Sequence, residues 1–190
     1  MARPKTVSDE AILDAAAAAA GRVGPANLTF GLVAKAVGLS PATLVQRYGT
    51  RDRLLQAALL RAWDLLDEQT AANDAIQPLT PEGAVALLVA LSPIDESETA
   101  YAQGLLLLSE DVRDAALRAR GAAWREVLST ALGRRLPVAP ERQHALGRLM
   151  ASQWQGIRIW WAFERHDNEA QQVAAELLEW LSAVGVQKTT

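Results

Sequence analysis

Thr29–Leu55 reads TFGLVAKAVGLSPATLVQRYGTRDRLL, and the punctuation inside this stretch decides the fold. Thr29 can cap a short helix that runs to Val37 and stops at Gly38. Ser40 can cap a second, with Pro41 at the first helical position, where its missing N–H costs nothing, and Tyr48-Gly49 closes it. Two helices of about eight residues joined by a tight glycine turn make a helix-turn-helix. Ala34 is small where the helices cross, and Gly38 can take the left-handed conformation that ends the first one. Leu39 points inward, while Val33, Val37, Leu44 and Tyr48 supply a shared core, the last two being one turn apart.

The second helix has a definable outer face. Stepping about 100° per residue from Leu44 puts Ala42 and Gln46 opposite the core, flanked by Thr43 and Val45. Such a small, uncharged face suits a major groove. The Gln46 amide can read a base edge, with adenine its favoured partner, and Val45 or Ala42 can touch a thymine methyl. Thr43 and Arg47 fall at the flanks, where phosphates would lie.

Outward from this core, helix signals recur. Ser8 caps a first helix with Asp9 and Glu10 in its opening turn, passing through Ile12, Leu13 and an alanine run to about Val23, before Gly24-Pro25. Thr50 opens a fourth, with Leu54, Leu55, Ala58, Leu59, Ala62, Trp63 and Leu66 at helical spacing. Thr80-Pro81-Glu82 starts another, carrying Val85 to Leu91 before Pro93. A helix is expected over Ser97–Leu108, and Ser109-Glu110-Asp111 is expected to cap the next, to about Arg135. After Leu136-Pro137-Val138-Ala139-Pro140 come Glu141 to about Arg165 and, past His166-Asp167-Asn168, Glu169 to about Val184. No strand-like alternation interrupts them. The chain is expected to be all-α, with about nine helices: a helix-turn-helix three-helix module over 1–55 and a larger helical domain over 56–190.

With Leu28-Thr29, Val33-Ala34, Val37-Gly38-Leu39-Ser40, Ala42-Thr43-Leu44, Tyr48 and Arg51-Asp52-Arg53-Leu54-Leu55 in register, Ala11–Leu59 resembles the N-terminal DNA-binding domain of TetR-type transcriptional regulators. The resemblance implies that Thr29 and Thr43 contact phosphates and that Arg51 anchors the start of the fourth helix to the DNA backbone. It also implies that Pro41, Ala42, Gln46 and Arg47 face the groove. The chain departs from the family at Val45, where an aromatic residue is usual, and near Gly31, where a basic or polar one is. Arg3 and Lys5 can add a basic arm on DNA.

In this family the larger remainder is a variable helical domain that dimerises and often binds a small effector. The residues agree in outline. Leu146, Leu149, Met150, Gln153, Ile157, Trp160 and Trp161 form one wide apolar stripe, and Val173, Leu177, Leu178, Trp180, Leu181 and Val184 another. The last two helices of two chains are expected to make a four-helix homodimer interface. A two-headed reader then fits a palindromic operator in double-stranded DNA, with half-sites about one turn or a multiple apart. Tyr101, Trp124 and Trp154 are candidates to line an apolar effector pocket, with Arg158 or Gln155 as the polar handle.

Charge and composition bear on the alternatives. The 190 residues carry a formal charge of −3, yet residues 1–55 hold seven basic against four acidic side chains and the rest 12 against 18. A small anion-facing module on an acidic body reconciles an acidic chain with a nucleic-acid partner. The absence of Cys removes thiolate catalysis and thiolate metal sites, and two His, 22 residues apart, supply a zinc site poorly, so no metal or cofactor is expected. An all-α enzyme is the main alternative, but the sequence lacks a Gly-x-Ser-x-Gly elbow or a phosphate-cradling glycine loop. Glu110, Asp111 and Asp114 read as first-turn carboxylates rather than catalytic ones. A helical protein-binding adaptor is the third reading. Arg3 and Lys5 followed by alanines superficially suggest a signal peptide, but Ser8-Asp9-Glu10 and Asp14 interrupt it and no window can span a bilayer; a cytoplasmic protein is expected.

Overall fold

A computed structural model describes residues 7–92, 98–164 and 168–186. Arg3, Lys5, Pro93, Ser97, Arg165, His166 and Asp167 lie outside the described residues. Within them are nine α-helices, one 3₁₀ turn (Pro25–Asn27) and no strand. The helices are α1 (Asp9–Val23), α2 (Phe30–Val37), α3 (Pro41–Tyr48), α4 (Arg51–Ile76), α5 (Pro81–Ala90), α6 (Glu98–Arg113), α7 (Ala115–Gly133), α8 (Pro140–Glu164) and α9 (Glu169–Ala183).

Local chemistry sets most of the boundaries. The hydroxyls of Ser8, Thr29, Ser40 and Thr80 each accept the backbone N–H three residues on, at 3.2 Å, and Asn168 does the same at 3.0 Å. Gly38 has φ 71°, and its own N–H and that of Leu39 both return to the Ala34 carbonyl, closing α2 where a side chain would strain the turn.

One boundary differs from expectation. Ser109-Glu110-Asp111 does not begin a helix; α6 runs through it to Arg113, and Asp114 is the cap, accepting from Ala116 N–H at 2.8 Å and Leu117 N–H at 3.0 Å. The three carboxylates are also not equivalent. Asp114 is held below its usual range, first by the Leu117 N–H, with the Gln56 amide adding a bond at 2.7 Å. Burial pushes Asp111 up, against the hydrogen bond it accepts from the Trp63 indole at 3.1 Å. Glu110 and Asp111 therefore close α6 rather than open α7, because α4 offers partners that decide where the helix breaks.

The chain forms two compact units, residues 1–65 with 97–121, and 66–96 with 122–190. Residue 55, where the charge changes sign, lies inside α4. In the first unit α6 packs on α1 and the 3₁₀ turn, and Ile12, Ala16, Leu28, Val33, Ala34, Leu44, Leu54 and Ala58 form a closed core. In the second, α9 packs on α5 and α8, and Leu87, Leu132, Met150, Ile157, Trp161, Val173 and Leu177 are buried.

Within this second unit two glycines let α7 and α8 touch backbone to backbone. A Cβ on Gly147 would lie 2.1 Å from the Ser129 carbonyl oxygen, and one on Gly133 would lie 2.3 Å from that of Gln143. Backbone cannot swing aside as a flexible side-chain end can. Gly147→Ala is expected to destabilise the protein by about 3 kcal/mol in urea unfolding. Gly156→Ala, on the same helix with nothing within 4 Å of the new methyl, should instead stabilise by about 0.5–1 kcal/mol.

Candidate nucleic-acid interface

α3 is held by one face and presents the other. Leu44 is fully buried, and Val37, Leu39 and Tyr48 pack partly buried against the same core. Pro41, Ala42, Gln46 and Arg47 are exposed, as is Val45, whose side chain has no packing reason to be apolar there. Thr43 is half-buried, its hydroxyl sharing a hydrogen bond with Ser40 Oγ at 2.9 Å. The helical-wheel reading of this face therefore matches the geometry, with Thr43 drawn toward the cap.

The cations around the face are tied down within the fold. Arg47 Nη1 donates to the Val7 carbonyl at 3.2 Å and to Asp9 Oδ1 at 3.3 Å, and the same carboxylate oxygen accepts from the Tyr48 hydroxyl at 3.1 Å. Burial, then the bond to Asp9, pushes Tyr48 up to about 12, so the phenol stays a donor throughout the working range. Asp9 thus clamps the end of α3 to the start of α1. In the sequence Asp9 reads only as a first-turn carboxylate, since nothing local signals a partner 39 residues away.

Arg51 sits at the start of α4 with its Nη1 on the carbonyls of Pro25 and Ala26, at 3.2 and 3.0 Å. Its Nε and Nη2 hold Asp52 Oδ1 at 2.9 and 2.6 Å. Arg51 is consequently a fastener between α4 and the 3₁₀ turn in the DNA-free chain. Thr29 is exposed with its hydroxyl accepting from Leu32 N–H at 3.2 Å, which leaves its O–H available to a phosphate oxygen.

In the second unit, Trp124 and Trp154 come together, ring centroids 6.5 Å apart and tilted by 52°. They line a cavity of about 370 Å³ with Arg125, Leu128, Ala151, Ser152, Gln155, Gly156 and Ile159. Arg158 stacks on Trp154 at 5.2 Å from the ring centre, but its Nε is engaged by buried Glu169 at 2.9 Å and it does not line the cavity. Tyr101 belongs to the first unit and is not among the lining residues. Gln155 is; Arg125, which the sequence reading passed over, lies one helical step from Trp124.

No His, Cys, Asp or Glu cluster suited to a metal occurs among the described residues, and none of their helices is long and apolar enough to cross a membrane.

Residues 12–58 match the family model of bacterial regulatory proteins, tetR family. Among curated proteins none matches the chain. Solved structures share the fold over nearly the whole length. A Saccharomonospora viridis protein described as a transcriptional regulator, in complex with choline, has a TM-score of 0.72 at 16% identity, over 94% of this chain and 97% of its own. A TetR transcriptional regulator from Legionella pneumophila has 0.70 at 14%, over 94% and 99%. The multidrug binding protein EbrR complexed with malachite green has 0.65 at 21%, over 91% and 98%. Residues 12–58 are thus similar to the helix-turn-helix domain of the tetR family of bacterial regulatory proteins, and over nearly its whole length the chain has the fold of solved TetR-type regulators.

Proposed function

We propose that the protein is a repressor that binds a palindromic operator as a homodimer and is released by a small apolar effector. The observation that carries the reading is the outer face of α3: exposed and uncharged along Pro41, Ala42, Val45 and Gln46, with Thr43 and Arg47 beside it. Gln46 is placed to read a base edge, Val45 and Ala42 to meet a thymine methyl, and Thr29, Thr43, Arg47 and Arg51 to hold phosphates. Arg47 and Arg51 would exchange carboxylate for phosphate partners of the same geometry.

The dimer surface follows from how α8 divides its apolar residues. Leu146, Met150, Ile157 and Trp161 are buried, whereas Leu149, Trp160 and Phe163 remain 58%, 64% and 76% exposed along the other side. Trp160 and Phe163 stack on each other, 5.8 Å between centroids. With Val184 exposed at the end of α9, this is more apolar surface than a lone protein usually shows to water, and a second copy of α8 and α9 would cover it.

The Trp124–Trp154 cavity has the size of a small-molecule site. Solved structures of the same fold hold choline and malachite green, which supports an effector here. Such an effector lowers operator affinity only by the ratio of its own affinities for the DNA-bound and released states.

The test is fluorescence anisotropy with duplex DNA from upstream of the protein's own gene, against a shuffled duplex. Tight, dimer-linked binding is expected, with log affinity falling linearly in log salt by roughly 0.9 per phosphate neutralised. Equal binding to both duplexes at low salt would remove the operator reading.

A further inference from the structure

We propose that the Trp124–Trp154 cavity selects a planar aromatic anion, a ring system carrying a carboxylate, with Arg125 as the residue that reads the charge. The inference rests on the reading of this cavity as the effector site and departs from a wholly apolar effector by adding one charged group to an apolar ring system.

Two aromatic walls alone do not decide that charge. Indole faces attract cations as readily as they stack on flat rings, so the polar groups of the lining must decide. Most are already spent. Trp124 Nε1 donates to Thr70 Oγ1 at 2.9 Å and Trp154 Nε1 to Ser92 Oγ at 3.3 Å, so the indoles offer the cavity their rings and not their N–H groups. Ser152 Oγ accepts from Arg125 Nη2 at 2.8 Å and donates to the Arg148 carbonyl at 3.1 Å. What remains is the Gln155 amide and the Arg125 guanidinium.

Among the described residues, Arg125 is the only charged side chain on the wall. It is exposed, so it stands where the cavity meets solvent. Its recorded partner is the neutral Ser152 hydroxyl, whereas Arg134, Arg135 and Arg158 of the same unit each hold a carboxylate. Glu126, the next residue along α7, pairs with His144 Nε2 at 3.0 Å. A guanidinium fixed by one hydroxyl at the rim of an apolar, Trp-walled space has N–H groups left to grip a carboxylate. Its charge opposes any cation that the indole faces would otherwise attract. The volume, about 370 Å³, accommodates a fused two-ring system with its substituent at the rim.

Calorimetry on the full-length protein with three probes sharing one ring system tests this: 2-naphthoate, 2-naphthamide and (2-naphthylmethyl)trimethylammonium. The naphthoate is expected to bind about tenfold more tightly than the amide, and the cation about tenfold more weakly. Arg125→Met should bring the naphthoate-to-amide ratio to about one while leaving amide affinity within about twofold, since the exposed guanidinium supports no core contact; retained amide binding also reports that the variant is folded. A cation that binds best, or a ratio unchanged in Arg125→Met, overturns the assignment of charge and leaves the effector site standing. If none of the three binds the wild-type protein, the effector reading of the cavity falls and this inference with it.

Discussion

Arg135→Met should cost about 3–5 kcal/mol of stability, the largest loss expected from any single side chain here. The Arg135 residue is 2% exposed, yet all five of its N–H groups are used. Nε donates to the Pro78 carbonyl at 3.1 Å; Nη1 to the Asp74 carboxylate and, at 2.7 Å, the Ala131 carbonyl; Nη2 to the carbonyls of Asp74 and Gln77 at 2.8 and 3.0 Å. One guanidinium thus satisfies the Asp74 carbonyl in the last turn of α4 and the Gln77 and Pro78 carbonyls just past it, at the dipole end that favours a cation. Methionine fills similar volume but donates nothing. The Asp74 carboxylate would keep Arg134, at 2.6 Å, so the loss falls mainly on the orphaned carbonyls rather than on a stranded charge. For a chain of this size the midpoint of thermal unfolding should drop by roughly 10 °C. Arg135→Lys, with three donors that cannot reach in a planar fork, should fall between the two. A Met variant within about 1 kcal/mol of wild type in urea unfolding would show that water replaces the guanidinium at these carbonyls.

None of this was visible in the sequence, where Arg135 marks only the approximate end of an expected helix. Apart from the Ala131 carbonyl four residues back, the partners lie 57 to 61 residues away. What the sequence does reveal is whatever is decided within about four residues. Ser8, Thr29, Ser40, Thr80 and Asn168 act as caps by bonding to their own neighbours, and Gly38 stops α2 by its own backbone freedom. Ser109-Glu110-Asp111 has the same chemistry but fails to cap, because Trp63 engages Asp111 and Gln56 engages Asp114. Local propensity offered two break points, and long-range partners selected one.

The candidate site divides in the same way. The outer face of α3 follows from 100° steps and was legible; the grip of Asp9 on Arg47 and Tyr48 was not. Residue type points to Trp124 and Trp154, which do meet. Charge points to Arg158, which Glu169 already holds, and not to Arg125, which lines the cavity. The stripe on α8 reads as one wide apolar band because periodicity cannot separate residues that face a chain's own core from residues that face outward. Burial separates them, with Met150 fully buried and Leu149 beside it more than half exposed.

Ala42→Glu should abolish operator binding while leaving the fold as stable as before or slightly more so. Ala42 is the second residue of α3, behind the Ser40 cap and Pro41, and its side chain is exposed. A carboxylate in a first helical turn interacts favourably with the helix dipole, by about 0.3–1 kcal/mol, and α3 carries no acidic residue there at present. On DNA the sign reverses. The same carboxylate would enter a groove walled by phosphates, lose its water and find no donor at the thymine methyl that Ala42 is read as touching. An unpaired charge forced into such an interface costs at least about 3 kcal/mol, or more than a hundredfold in affinity. The pairing of a stable fold with lost binding is the informative result, because a substitution that merely damaged the domain would lower both. Ala71→Glu, the same charge change at an exposed position of α4, controls for net charge and should weaken binding by no more than a few-fold, an effect that added salt reduces. Anisotropy with the operator duplex and thermal unfolding of both variants make the measurement. If Ala42→Glu bound like Ala71→Glu, the start of α3 would lie outside the groove, and the base-reading roles given to Gln46 and Val45, one turn further along the same face, would have to be withdrawn.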